Sequence, residues 1–279
     1  AHVSLGISYG KLGKYEEAVA EFKEAVRIKP DHADAHANLG IFYQILGMYE
    51  KATAEYKEAI RIKPDHADAH ANLGIFYQIL GMYEKAIAEL KEAIRIQADY
   101  VKAHYNLGVL YGKLGKSQEA ITEYKETIRL KPDHADARVN LGISYQMLGM
   151  YERAIAELKE ALRAKPDHTE AHVSLGISYG KLGKYEEAIA ELKEVIRLKP
   201  DHADAHTNLG SFYQILGMYE KAIDELKEAI RIQADYVKAH YNLGVLYSKL
   251  GKDQEAITEY KEALRIQPDD AETHYGLGS

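Results

Sequence analysis

A glycine recurs every 34 residues along the whole chain, inside near-copies of one segment. The nine positions are Gly6, Gly40, Gly74, Gly108, Gly142, Gly176, Gly210, Gly244 and Gly278. A fixed period of this length is typical of stacked repeats, in which each unit contacts mainly its neighbours. The period therefore predicts one continuous array and leaves no room for a separate catalytic domain.

The repeat boundaries follow from the period. Residues 1–279 are predicted to form a single array with repeats at 1–32, 33–66, 67–100, 101–134, 135–168, 169–202, 203–236 and 237–270, and a partial ninth at 271–279. Larger blocks are also copied, because residues 67–134 recur at 203–270 with ten differences. This block structure favours a natural, recently expanded array over a design built from one consensus repeat.

Each repeat reads as two helices. In residues 33–66 the apolar and small residues follow helical spacing up to Leu46, Gly47 interrupts, and a second helical stripe begins at Tyr49. Pro64 is predicted to stop that helix, and Asp65 to cap the helix that follows.

The positions shared by all copies resemble the tetratricopeptide repeat (TPR) family over the whole chain. The family pattern is carried by Leu39, Gly40, Tyr43, Ala52, Tyr56 and Pro64. The resemblance implies an all-α fold, a right-handed superhelical solenoid of helix-turn-helix repeats whose first helices line a concave groove. One departure recurs: where the family often has Trp, this chain has His, with Arg138 once. This smaller ring is expected to loosen the packing slightly. The histidines are His36, His70, His104, His172, His206, His240 and His274.

Composition and charge exclude several classes of partner. The net charge of −7 argues against nucleic acid, which requires a clustered basic face. No apolar run approaches the roughly 20 residues that span a bilayer, so no membrane insertion is expected. The chain has no Cys, which excludes disulfides and thiolate metal sites. It does not begin with Met, which suggests a fragment or a processed chain. The compartment is left open, with the cytoplasm favoured.

Neither a cofactor nor an enzymatic activity is predicted. Every candidate Ser-His-Asp or paired-carboxylate arrangement recurs at the repeat period as ordinary surface charge. Histidine pairs such as His66 and His70 have helical spacing but no third soft ligand, so no functional metal site is expected.

A series of asparagines marks the expected groove. It comprises Asn38, Asn72, Asn106, Asn140, Asn208 and Asn242, with Ser4 and Ser174 interrupting it. A carboxamide both donates and accepts, so such a ladder can pair with the backbone of an extended peptide. The series is similar to the groove asparagines of a TPR-containing glycosyltransferase. The alternative is that Asn is simply frequent at this position in the family.

Two repeats differ from the others in the first helix. They carry Lys102 with Tyr105 and Lys238 with Tyr241, and each is preceded by a junction that has lost Pro and gained Tyr. These two Tyr-Lys patches are candidate contacts for an acidic or phosphorylated peptide. Neutral variation copied by the block duplication is the competing interpretation.

The sequence as a whole predicts a protein-interaction scaffold that holds an extended peptide or partner segment in its groove. One alternative is the substrate-recruiting arm of a larger enzyme, such as a glycosyltransferase. Another is self-association, because a solenoid whose terminal repeats lack polar caps is able to stack end to end.

Overall fold

The structure is a computed structural model that describes residues 1–269. Within this range the chain forms sixteen α-helices and no strand, which confirms the all-α class. The helices are α1 (His2–Lys11), α2 (Tyr15–Ile28), α3 (Ala33–Ile45), α4 (Tyr49–Ile62), α5 (Ala67–Ile79), α6 (Tyr83–Ile96), α7 (Val101–Lys113), α8 (Ser117–Leu130), α9 (Ala135–Met147), α10 (Tyr151–Ala164), α11 (Thr169–Lys181), α12 (Tyr185–Leu198), α13 (Ala203–Ile215), α14 (Tyr219–Ile232), α15 (Val237–Lys249) and α16 (Asp253–Ile266).

Consecutive helices pair into repeats, from α1 with α2 in repeat 1 to α15 with α16 in repeat 8. The array divides into two compact units. The first unit is Ala1–Ala137, and the second begins at Arg138, within α9. In each unit, stacked helix pairs build the predicted solenoid of helix-turn-helix repeats. The expected partial ninth repeat, 271–279, lies outside the described residues.

Glycine makes the turn inside each repeat. Gly47 has a φ of +72°, a left-handed conformation that costs other residues about 1–2 kcal/mol. The amide of Met48 then donates to the carbonyl of Tyr43 at 2.8 Å, which satisfies one of the free carbonyls at the end of α3. The same left-handed glycine recurs in all eight repeats, which explains why a single residue type stands there.

Histidine, not aspartate, is the residue that precedes five of the first helices, α3, α5, α9, α11 and α13. The predicted cap Asp65 lies in the turn, and His66 is the residue that precedes α5. The Nδ1 atom of His66 accepts a hydrogen bond from the amide of Ala69 at 3.4 Å. Rings at the same position in later repeats do the same. The prediction was one residue early because imidazole is not among the usual capping groups.

The helix pairs approach closely at small residues. A Cβ atom added to Gly40 would lie 2.8 Å from the ring of Tyr56, so only glycine admits this tyrosine. Tyr56 is 1% exposed, and Ala52 and Ala59 are fully buried beside it. These residues form the core, as the sequence predicts.

The histidines at the family's Trp position bind their repeats together. The Nδ1 atom of His36 lies 2.6 Å from a carboxylate oxygen of Glu55 on α4, and its Nε2 atom lies 3.0 Å from the carbonyl oxygen of Pro30. The same pair of contacts recurs at His70, His104, His172, His206 and His240. The expected loosening is therefore offset by two polar contacts per ring.

Candidate functional site

The first helices of the second unit form one side of a large open cavity. Its volume is about 1020 Å³. It is lined by Thr169, Glu170, Val173, Ile177, Gly180, Lys181, Tyr185, Lys199, His202, Asp204, Asn208, Phe212, Ile215 and Lys238. Most of these residues belong to α11 and α13, so the cavity lies on the helix faces that the sequence assigns to the groove. Among the predicted site residues, Asn208 and Lys238 line it.

The predicted asparagines lie half-buried on the first helices, and each is engaged within the chain. Asn38 and Asn106 donate from their side-chain amides to the backbone carbonyl four residues earlier, at 2.7 Å in both cases. Asn242 donates to the hydroxyl of Ser211 at 3.2 Å. Asn140 accepts a hydrogen bond from Ser144 at its backbone carbonyl. One contact per amide leaves further hydrogen-bonding capacity at Asn38, Asn106 and Asn242, because a carboxamide has two donors and two acceptor sites.

The remaining two asparagines join the lysines of the Tyr-Lys patches. The ammonium group of Lys102 donates to Asn72 at 2.7 Å, and that of Lys238 donates to Asn208 at 3.0 Å. Each contact links the first helices of consecutive repeats. In each unit, therefore, an asparagine of the ladder contacts a lysine of a Tyr-Lys patch, two residues that the sequence predicts separately.

The tyrosines before these helices bind acids at the start of the preceding first helix, α5 or α13. The hydroxyl of Tyr100 donates to Asp68, and that of Tyr236 donates to Asp204. Burial raises the pKa of Tyr100, and the hydrogen bond to Asp68 raises it further. Tyr100 occupies the place of His66, whose Nε2 atom lies 3.0 Å from Asp34 at the start of α3. The junction residue therefore keeps its contact with the first helix before it, although its type changes from His to Tyr.

A smaller cavity of about 520 Å³ lies beside the first Tyr-Lys patch. Lys102 and Tyr105 line it together with Tyr100 and His134. The rings of Tyr105 and His134 stack with centroids 4.8 Å apart, and burial lowers the pKa of His134. In the second unit the ring of Tyr241 lies 6.0 Å from that of Tyr260. Both predicted tyrosines are half-buried and pack against other rings.

The histidine pairs are used in structure. In the pair formed by His66 and His70, the first ring caps α5 and the second binds Glu89. Residues 1–269 contain no group of three or more His, Cys, Asp or Glu side chains arranged to hold a metal ion. A search of the same residues for a helix with the length and apolar character of a membrane span finds none.

Sequence profiles decide the family. The profile of the TPR repeat matches residues 6–47, 41–81, 76–115 and 181–217, and two further tetratricopeptide repeat profiles match 105–169 and 201–269. The chain belongs to the TPR family. No curated protein matches its sequence.

Solved structures share the TPR fold. A chain of the APC/C hetero-tetramer Cut9–Hcn1 aligns with a TM-score of 0.67 over 95% of this TPR protein at 19% identity, and this protein spans 52% of that chain. YrrB, described as a TPR protein with an unusual peptide-binding site, aligns over 68% of this chain and 98% of its own at 22% identity and a TM-score of 0.56. MamA aligns over 59% of this chain and 96% of its own at 28% identity and a TM-score of 0.54.

Sequence reasoning missed the aromatic side of the large cavity in this TPR array. Phe212 and Tyr185 line it, with ring centroids 5.9 Å apart. The available signal was Gly180, which replaces the Gln found at the same position in four other repeats. A Cβ atom at Gly180 would lie 2.3 Å from the ring of Phe212, so the glycine is what allows the ring to occupy this place.

Proposed function

We propose that this TPR protein is an interaction scaffold that holds an extended segment of a partner protein against its first-helix faces. The observation that carries the proposal is the open cavity of about 1020 Å³ along α11 and α13. A cavity with apolar walls and a few polar groups that fix orientation is the usual form of a binding site. The proposal gives the chain no catalytic step of its own.

The polar groups of the cavity suit a peptide backbone. Asn208 accepts from Lys238 and keeps its amide N–H donors for a ligand carbonyl. Hydrogen bonds to the backbone supply affinity, while neighbouring apolar surfaces select side chains. Val173 and Phe212 provide such surfaces and are both partly exposed.

Peptide display tests the proposal. The array is used to select binders from a library of unstructured peptides, and the selected peptides are measured against a variant with Ala at Asn72, Asn106, Asn208 and Asn242. Loss of two or more ligand hydrogen bonds, each worth about 0.5–1.5 kcal/mol, predicts at least about fivefold weaker binding.

A matched variant controls for the number and type of changes. It carries Ala at four exposed lysines of the second helices, Lys57, Lys91, Lys227 and Lys261, and should bind as the original protein does. Equal binding by both variants rejects the asparagine ladder, whereas failure to select any peptide rejects the scaffold function.

A further inference from the structure

The same group of apolar residues occurs twice, once in each unit. In repeat 6 it forms where the end of α11 meets α13, and in repeat 1 where the end of α1 meets α3. We name the two groups the apolar corners. The repeat-1 corner is Ile7, Gly10, Tyr15, Phe42 and Ile45, and the repeat-6 corner is Ile177, Gly180, Tyr185, Phe212 and Ile215.

The two corners have the same geometry. A Cβ atom at Gly10 would lie 2.3 Å from the ring of Phe42, as one at Gly180 would from Phe212. The tyrosine of each corner lies beside the phenylalanine, with centroids 6.2 Å apart in repeat 1 and 5.9 Å in repeat 6. Each glycine therefore seats an aromatic ring on the first-helix face.

The isoleucines of the corners are exposed. The exposed fractions are 39% for Ile7 and 37% for Ile177, and 50% for Ile45 and 56% for Ile215. Clustered apolar side chains left in water mark interaction surfaces more often than isolated ones do. In repeat 6 these residues line the large cavity, so the surface is concave and open to a ligand.

An unpaired lysine stands at each corner. Lys11 and Lys181 end α1 and α11 directly after the corner glycines, both are exposed, and neither has a polar partner among residues 1–269. The nearest acids in sequence to the repeat-6 corner, Glu186 and Glu187, do not line the cavity. Of the two acids that do, Glu170 lies at the opposite end of α11, and Asp204 accepts from Tyr236.

Repeat 4 shows what the position looks like without a corner. It has Gly112 and Lys113, but Ser117 stands in place of the tyrosine. The ammonium of Lys113 lies 5.1 Å from the centroid of Tyr83, so this lysine is engaged by its own chain. The lysines at the corners differ from it in having no such partner.

We infer that each apolar corner binds a large apolar side chain of an acidic peptide segment, with a carboxylate beside that side chain pairing with Lys11 or Lys181. The inference rests on the proposed scaffold function and names the chemistry of its ligand.

Three short labelled peptides test the inference. The first is built of aspartate and glycine around one phenylalanine, the second has alanine in place of the phenylalanine, and the third has asparagine in place of the aspartates. Burying an aromatic side chain predicts at least about tenfold tighter binding for the first than for the second. A solvent-exposed ion pair predicts about a two- to fivefold advantage over the third.

Variants that copy other repeats of the same chain separate the two contributions. Gly10→Gln with Gly180→Gln copies Gln44 of repeat 2, which precedes a repeat that also has the phenylalanine, Phe76. This double change should remove the preference for phenylalanine. Lys11→Ile with Lys181→Ile copies Ile45 and should remove only the preference for aspartate over asparagine. Lys113→Ile is the matched control and should change neither preference.

Isoleucine methyl NMR locates the peptide. The methyl signals of Ile7, Ile45, Ile177 and Ile215 should shift on titration, while that of Ile60 on α4 should not. Absence of binding by the phenylalanine peptide, or shifts confined to other methyl groups, overturns the inference. Peptides selected by display that bind equally well to the Gln variants would overturn it while leaving the scaffold function intact.

Discussion

At the scale of single residues, the histidines that pair with glutamates should make the stability of this fold depend on pH. Both nitrogens of His70 face acceptors, Glu89 and the carbonyl of Pro64, and both contacts are hydrogen bonds only when the ring carries two protons. The hydrogen bond to Glu89 raises the pKa of His70, with Glu92 adding to the effect. In repeat 5 the same place is held by Arg138, which pairs with Glu157 at 2.8 Å. In repeat 5 a permanent cation therefore makes the contact that a protonated ring would make.

We predict that the free energy of unfolding falls as the pH rises above about 6.5, the ordinary pKa of histidine. A histidine whose pKa is raised on folding contributes stability that is fully present below its unfolded pKa of about 6.5 and is lost as the pH passes its folded pKa. Urea unfolding at several pH values measures the slope.

Arginine variants provide the control for this slope. The raised pKa values are those of His70, His104, His172, His206 and His240. Replacing these five residues with Arg copies repeat 5 and should flatten the dependence. A stability that rises with pH, or a slope that the replacements leave unchanged, would contradict the assignment.

At the scale of helices, two glycines three residues apart have opposite roles. Gly112 lies inside α7, and an added Cβ would meet nothing closer than the hydroxyl of Tyr124 at 3.5 Å. Gly115 forms the turn with a φ of +71°. The two positions therefore test whether the helix end is set by backbone conformation or by packing.

Alanine at these two positions should change stability in opposite directions. Gly112→Ala should stabilise the chain by about 0.5–1 kcal/mol, because Ala loses less backbone entropy in a helix. Gly115→Ala should destabilise it by about 1–2 kcal/mol, because the left-handed conformation is strained for Ala. Chemical denaturation measures both, and the same sign for the two changes would contradict the assignment.

The helices could be predicted from sequence, and the side-chain contacts between helices could not. Gly47 and Pro64 bound a helix by local backbone rules, so the position of α4 followed directly. The contact of His36 with Glu55 joins residues 19 apart on two helices, and Phe212 reaches Gly180 from the next repeat. Such contacts depend on how the helices pack, which no periodicity specifies.

The candidate site was predictable in part. The asparagines and the Lys-Tyr positions fell on the first helices because their place in the repeat is fixed. That Lys102 would donate to Asn72 was not predictable, because the contact joins side chains 30 residues apart in neighbouring repeats. The sequence alone predicts the lysine and the asparagine as two separate ligand contacts.

At the scale of the whole molecule, neighbouring repeats carry the stability. In a repeat array each repeat gains most of its stability from its own fold and from its interface with the next repeat. Leu90 in the first unit and Leu226 in the second are equivalent residues, and both are fully buried. They allow the same change to be made in either unit.

Leu90→Ala and Leu226→Ala should each cost about 2–5 kcal/mol by leaving a cavity. Hydrogen exchange should show the loss of protection centred on repeat 3 for the first variant and on repeat 7 for the second. Loss spread evenly over all eight repeats in either variant would show that the array responds as one cooperative block.

The five histidines whose pKa is raised should also make folding a proton-binding reaction near neutrality. The net charge of −7 counts every histidine as neutral, but a ring that needs two protons for its native contacts carries one positive charge more. The chain should then bind protons when it folds and release them when it unfolds. The heat of unfolding near neutral pH should accordingly differ between buffers that have different ionisation enthalpies.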